Sequence, residues 1–237
     1  MKILVIGDVC IDEYRYGAIC RVNPESTAPL LSFDSSEEKM GMAVNVAQNL
    51  RSFGASVKLC VSDKISRKIR YIDRRTGEHL LRVDHDVEAT PYNFSKDLAD
   101  FDAIVISDYD KGFVLTKTIK DLRSQFVGPI YMDTKKLDLA DFSDIFIKIN
   151  ERELGEATSV PSLDKLIVTY GSKGCGYMDK MYAARPIEVV DVCGAGDVFL
   201  AAMVYKHMET GNIAMALEFA NEKAALSCQS LGTVCVS

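Results

Sequence analysis

No Cys-x-x-Cys pair occurs in this chain, and its three histidines stand far apart. A structural zinc site gathers four thiolate or imidazole ligands at short paired spacings, so these absences argue against one. The seven cysteines, Cys10, Cys20, Cys60, Cys175, Cys193, Cys228 and Cys235, are scattered and odd in number. With no secretion signal, such a set suits reduced thiols in a cytoplasm. The apolar part of MKILVIGD is too short for a signal peptide, and no run is long enough to span a bilayer. Internal repeats and low-complexity segments are missing too. So is an excess of basic charge: 28 Lys and Arg face 34 Asp and Glu, a formal net charge of -6. Sequence-independent binding of nucleic acid needs a phosphate-neutralising surface and is not expected. A small phosphorylated ligand held by a few local Lys and Arg remains compatible.

What is present is ordinary globular material. Hydrophobic residues make up 48% and charged residues 26% of 237 positions. That suits one large domain, or one domain with a small appendage, able to bury a substantial core. KILVIG is a β-branched apolar run closed by Gly7, the pattern of a strand buried on both faces of a parallel sheet. AVNVAQNLRSFG then places Val44, Ala47, Leu50 and Phe53 at helical spacing before Gly54. Further strands are expected at VKLCVS, AIVIS, PIYMD, IFIKIN and LIVTY, with helices at SKDLADF, LTKTIKDLRSQF and ERELGEA. Strands alternating with helices predict an α/β fold with a parallel sheet covered on both faces. EYRYGAICRV, PLLSFDSSEE and a hairpin around Thr76-Gly77 break this rhythm and read as exposed strands of a small flap. From Ala195 to about Gln229 the pattern is two helices split near Gly211.

Ligands of α/β sheets gather at the carboxyl ends of the strands. Asp8, Asp12, Asp108, Tyr109, Lys111, Asp133, Lys135, Asn150 and Glu153 all follow predicted strands. Any one of them alone reads as a cap or a loop charge; together they mark one rim. DVCGAGDVFLAA, from Asp191 to Ala202, adds glycines 194 and 196 at the start of a helix. Such a turn can aim backbone N–H groups and the positive helix end at an anion. An Asp beside an anion hole repels phosphate, unless it takes the proton from a hydroxyl that attacks the phosphate. The alternative for Asp197 is simple complementation of the helix dipole.

DVCGAGD resembles the signature of the ribokinase-like (PfkB) carbohydrate kinases. The resemblance runs along nearly the whole chain through GDVCIDEYRYG, RVNPESTAPLL, GMAVNVAQNLRSFGA, SDYDKG, MDTKK, INERE and VTYGSKG. The set is most similar to the D-glycero-β-D-manno-heptose 7-phosphate kinases, including the kinase half of the bifunctional heptose kinase/adenylyltransferases. The resemblance implies a three-layer α/β/α sandwich with a mostly parallel sheet, and a β-lid from strands at about 12–37 and 67–84. It implies ATP and Mg²⁺ as cofactors and a sugar phosphate as acceptor. Asp197 is then the general base, and Gly194, Ala195 and Gly196 the anion hole. Asn150 and Glu153 match a motif linked to Mg²⁺ and the ATP phosphates through water, so Glu153 is a water-mediated metal contact. Gly171 and Gly174 match the nucleotide-side turn, and Asp191 lies on the cofactor side. Asp8, Asp12, Gly41, Asn45 and Asp108 fall on the sugar side, with Lys111, Lys135, Arg82 and Arg21 as cations for the sugar's phosphate. In relatives the lid often makes a dimer contact, which implies a homodimer here.

The chain also departs from that pattern. Met42 stands at the second glycine of a usual Gly-Gly, Cys193 where Thr is usual, and Ile149 where Pro is usual. An expected helix and strand are missing between Asp63 and Lys64, with a smaller gap between Ala157 and Leu166. Three readings follow: a heptose 7-phosphate kinase, a kinase for another sugar or sugar phosphate, and a non-catalytic binder of sugar phosphate or nucleotide. His79, His85, His207 and Cys10 carry no expected role in chemistry.

Overall fold

The computed structural model describes residues 1–93, 97–142 and 144–237. Its core is an eight-stranded sheet. In chain order the strands are β1 (Lys2–Gly7), β4 (Ser56–Val61), β7 (Ala103–Asp108), β8 (Ile130–Thr134), β9 (Phe146–Asn150), β10 (Leu166–Thr169), β11 (Cys175–Tyr177) and β12 (Lys180–Tyr182). Across the sheet they run β12-β11-β10-β9-β8-β7-β1-β4. All pairs are parallel except β10-β11 and β11-β12.

Alternation explains why the apolar runs are continuous. Ile3 and Val5 of β1 face one side, where they pack with Val105 and Tyr131 under α1 (Ala43–Ser52), α4 (Ala195–Thr210) and α5 (Ile213–Ser227). Leu4 and Ile6 face the other side, packing with Ile104, Ile106, Ile130, Ile147 and Ile149 against α2 (Thr116–Gln125). A strand covered on both faces has no polar side to show. Phe53 clamps the first layer, with ring centroids 5.6 Å from Tyr205 and 5.7 Å from Phe219. Gly211 ends α4 at φ 66°, and Asn212 caps α5 by accepting from Ala214 N–H (3.0 Å) and Met215 N–H (3.3 Å).

A second sheet of four strands, β3-β2-β5-β6, stands beside the first. Its members are β2 (Val9–Val22), β3 (Pro29–Met42), β5 (Ser66–Asp73) and β6 (His79–His85). These strands are less exposed than their sequence suggests. Cys10, Asp12 and Tyr14 of β2 are buried, as are Ile69, Arg70 and Ile72 of β5. The reason is charge pairing: Arg70 donates to Asp12 at 2.6 Å, with both side chains buried, and lies over the Tyr14 ring at 5.3 Å. On the opposite face Glu13 accepts from Arg15 and Arg67, each at 2.6 Å.

Two local features differ from the sequence pattern. Asp97–Phe101 form a turn rather than a helix, closed by Phe101 N–H on Leu98 O (3.1 Å); Ser95 and Lys96 of that expected helix lie outside the described residues. The β11-β12 hairpin was not expected; Met178 turns it at φ 54°. The chain passes from β4 to β5 through four residues, so β4 is the sheet's edge, where the sequence suggested a missing helix and strand. The third helix, α3 (Glu151–Glu156), is only six residues long and precedes the second expected gap. Among the described residues no helix is long and apolar enough to cross a membrane. Asn212→Ala is expected to lower stability by about 1 kcal/mol, with Asn212→Gly costing only a few tenths, in urea unfolding at neutral pH.

Candidate active site

The rim residues converge where α4 begins. Gly194 sits at φ 77°, and a side chain there would meet Asn45 Nδ2 at 2.7 Å and Thr233 Cγ2 at 2.9 Å. Both conformation and space demand glycine. Val198 N–H is the first to bond back along the helix, to Gly194 O at 3.0 Å. The N–H groups of Gly196 and Asp197 precede it, at the positive end of a 16-residue helix. Asp191 holds this turn by accepting from Cys193 N–H (3.0 Å) and from Gly232 N–H (2.9 Å).

Asp197 is 4% exposed. Its Oδ2 accepts from Asn45 Nδ2 and its Oδ1 from Tyr109 Oη, each at 3.1 Å. Asn45 is buried on α1 and is itself held: its Oδ1 accepts from Asn49 Nδ2 at 3.0 Å. Burial pushes the Asp197 carboxyl up to about 6. The Asn45 hydrogen bond opposes this, nearby Asp133 adds to it, and Lys148 and Tyr109 oppose it. The group is therefore ionised at neutral pH yet holds its proton more firmly than an ordinary carboxylate. Such a group suits proton abstraction.

The other rim residues divide. Asp8, buried at the end of β1, accepts from Tyr109 N–H at 2.7 Å, and its Oδ1 has no partner. Burial raises its carboxyl to about 6. Asp108 accepts from Thr134 Oγ1 at 2.6 Å and pairs with Lys136 at 3.3 Å. Gly41 lies directly against Asp12; a Cβ there would fall 2.3 Å from its Oδ2. Lys135 stands 5.0 Å from the Tyr109 ring centre and is tied to Glu153 and, at 3.7 Å, to Asp133. Lys111 pairs with Asp86 at 2.5 Å. Arg82 is on the outer strand β6, exposed and paired with Asp84, and Arg21 is exposed near the end of β2. Neither is brought to Asp197.

Asn150 and Glu153 form a capping box on α3. Asn150 Oδ1 accepts from Glu153 N–H (2.9 Å), and Glu153 Oε2 accepts from Asn150 N–H (2.8 Å). The other Glu153 oxygen accepts from Lys135. Among the described residues no group of three His, Cys, Asp or Glu could hold a metal. Gly171 and Gly174, at φ 57° and 99°, shape the short turn after β10.

Burial pushes the Cys10 thiol far up, against a nucleophilic role. His207 shares a 2.8 Å hydrogen bond with Tyr131 Oη and packs edge-on to Phe146. Met42 is buried at φ 58°, a conformation a glycine would adopt freely. Two residues were missed. Lys68 on β5 stands 5.2 Å from the Tyr109 ring centre and makes no ion pair among the described residues. Lys148 on β9 is buried against Asp133 at 2.5 Å. The alternation of β5 alone offered a hint of the first, since Lys68 shares the face of Arg70.

The α/β sandwich and its side sheet thus bring an open amide turn and a buried carboxylate together at one lip. Residues 65–236 match the pfkB family carbohydrate kinases. The bifunctional protein HldE of Helicobacter acinonychis (strain Sheeba) is 31% identical over 299 positions, covering all of this chain and 64% of that protein. The chain thus spans less than two thirds of that relative, and the aligned span exceeds its own 237 residues. The ribokinase of Arabidopsis thaliana complexed with ribose and ATP superposes with a TM-score of 0.71 at 16% identity, over 98% of this chain and 94% of the other. The ribokinase of Cryptococcus neoformans var. grubii in complex with ADP gives 0.69 at 19%, over 98% and 95%. The fold is ribokinase-like. The chain belongs to the pfkB family of carbohydrate kinases.

The raised Asp197 carboxyl fixes the sign of a pH effect on stability. Its folded value, about 6, lies above the ordinary 3.8. The folded state therefore binds this proton more tightly, and the associated stability is fully present below 3.8 and lost as pH rises through 6. Asp197→Asn is expected to be more stable than the native chain at pH 7.5 by roughly 1–3 kcal/mol. The advantage should shrink to near zero below pH 4 in matched urea unfolding series.

Proposed function

We propose that this chain is an ATP-dependent kinase that phosphorylates the anomeric hydroxyl of D-glycero-β-D-manno-heptose 7-phosphate to the 1,7-bisphosphate. The carrying observation is Asp197, held by Asn45 and Tyr109 at the lip of the Gly194–Gly196 turn. The acceptor is supported by the heptose-kinase character of GDVCIDEYRYG, RVNPESTAPLL and SDYDKG, and by similarity to a protein named HldE.

Asp197 takes the proton of the attacking hydroxyl. The acceptor oxygen forms a bond to the γ-phosphorus as the bond from that phosphorus to the bridging oxygen breaks, leaving ADP. The N–H groups of the turn and the helix end stabilise charge on the transferred group without reorganising. Asp8 and Asn45 are positioned to orient sugar hydroxyls. Mg²⁺ would travel with the nucleotide and offset phosphate charge, with Glu153 and Asn150 reaching it through water. The four-stranded sheet acts as a lid that excludes water from the transfer.

A second reading is a different phosphorylated sugar as acceptor. Met42 at the head of the sugar-side helix motivates it. In both readings a phosphate on the acceptor needs a cation, and Lys68 is a lysine beside Tyr109 that pairs with no carboxylate among the described residues.

A panel of sugars and sugar phosphates, scored by ADP release and product mass, tests the assignment. Heptose 7-phosphate should be turned over best, and Asp197→Asn should lose about 10²- to 10⁴-fold in kcat while staying folded. Native-level turnover by Asp197→Asn would remove the base from the mechanism. Lys68→Met is expected to raise KM for a phosphorylated acceptor about 10- to 100-fold, with little change in KM for ATP. Equal effects on phosphorylated and unphosphorylated sugars would count against Lys68 as the phosphate's cation.

A further inference from the structure

Lysine in the middle of a buried strand is costly unless paired. Lys148 is the third of five residues in β9 and is 4% exposed. Ile147 and Ile149 point into the core under α2, so Lys148 points to the opposite face, toward α4. Strand register places Lys148 beside Asp133 of β8, Asp133 beside Ser107 of β7, and Ser107 beside Gly7 of β1. These four positions form a polar row across the sheet below the start of α4. Lys148 Nζ donates to Asp133 Oδ2 at 2.5 Å, and it lies 3.0 Å from where a side chain on Gly196 would begin. Asp133 Oδ1 and Ser107 Oγ, both buried in this row, have no hydrogen-bond partner.

The row creates an electrostatic problem. Asp133 and Asp197 are both buried, at 3% and 4% exposure, and act on each other as like charges. A buried carboxylate beside a like charge holds its proton more firmly. The groups acting on Asp197 come from every neighbouring element. Asn45 of α1 and Tyr109 after β7 donate to it, Cys10 of β2 is nearby, and Asp133, Lys135 and Lys148 supply charge from β8, its following loop and β9. Lys68 of β5 stands over the Tyr109 ring and acts on Cys10. Lys135 is drawn off to Glu153 and its side chain is 32% exposed. Lys148 is the least screened cation of the set.

We propose that Lys148 is a positioning residue of the phosphoryl-transfer centre: its ammonium, fixed by Asp133 against Gly196, offsets the Asp133 charge and so lets Asp197 stand ionised beside it. The catalytic part of this statement rests on the kinase reading; the coupling of charges does not. Glycine at 196 has a matching reason, since a side chain there would press on the ammonium.

The test is a titration of the aspartate carboxyls by ¹³C NMR in the full chain, with Asp197→Asn assigning the signal. Lys148→Met should raise the Asp197 midpoint by about one pH unit or more, tenfold in proton affinity. Lys148→Arg should hold it near the native position. Asp133→Asn should lower it, and the double variant Lys148→Met/Asp133→Asn should return it toward native. In turnover, Lys148→Met should lose about twofold in kcat at pH 7 and nearly tenfold near pH 5, and regain it at higher pH, with KM for ATP little changed. A folded Lys148→Met with an unmoved Asp197 midpoint overturns the proposal. If Lys148→Met does not fold, Asp133→Asn decides alone, and an unmoved midpoint there overturns it equally. Because the titration needs no turnover, a silent acceptor panel would refute the kinase reading while leaving this coupling standing or falling by itself.

Discussion

The burial of one carboxylate under the first turn of a helix governs the rest of this structure. Asp197 is removed from water, yet two neutral donors, Asn45 and Tyr109, keep each of its oxygens occupied. Neutral donors matter here. A direct ion pair would stabilise the carboxylate so strongly that it would lose its appetite for a proton. Hydrogen bonds from an amide and a phenol hold its direction and leave it basic. Three of the cations nearby are tied to another carboxylate: Lys148 to Asp133, Lys135 to Glu153, Lys136 to Asp108.

That arrangement is assembled from distant parts of the chain, and the parallel sheet is what makes it exact enough to work. Asp8, Tyr109, Asp133 and Lys148 come from four adjacent strands whose carboxyl ends share one rim. The helix layer adds Asn45 from α1 and the open amides of α4, locked together through Phe53, Tyr205 and Phe219. The side sheet closes against this rim with its own buried pair, Asp12 and Arg70. A buried pair is poor evidence for added stability, but losing one partner leaves an isolated charge, so it strongly specifies how β2 and β5 meet.

Much of this was legible in the residues themselves. Continuous apolar runs announced β1, β7 and β10, because a strand covered on both faces shows no alternation. GAG followed by Asp at a helix start announced the anion turn, because few other needs put glycine at φ 77° beside an acid. What stayed hidden depends on register or on context. Lys148 was invisible because only the pairing of β8 with β9 sets it against Asp133. Arg82 read well from its motif position, yet β6 is the outer strand and leaves it paired to Asp84 in solvent. The buried half of β2 read as exposed because its acids and tyrosines carry polar labels that pairing then neutralises. The helix expected before β7 had the spacing, but Asp97–Phe101 settled into a turn that feeds directly into the strand.

The short connection between β4 and β5 shows which parts of the fold can be lost. Trimming at that point changes the sheet at β4, its edge, while β1, β7, β8 and β9 stay interior. The rim depends on those interior strands and on α1, which leads into β4 and packs beneath α4 rather than beyond the edge. An edge strand contributes fewer of the contacts that hold register than an interior one, whose two neighbours constrain it from both sides. The polar row from Gly7 to Lys148 therefore lies where shortening the chain leaves register intact. A reduced kinase can keep its chemistry for that reason: the residues that set the charge at Asp197 are the ones most tightly held by neighbouring strands.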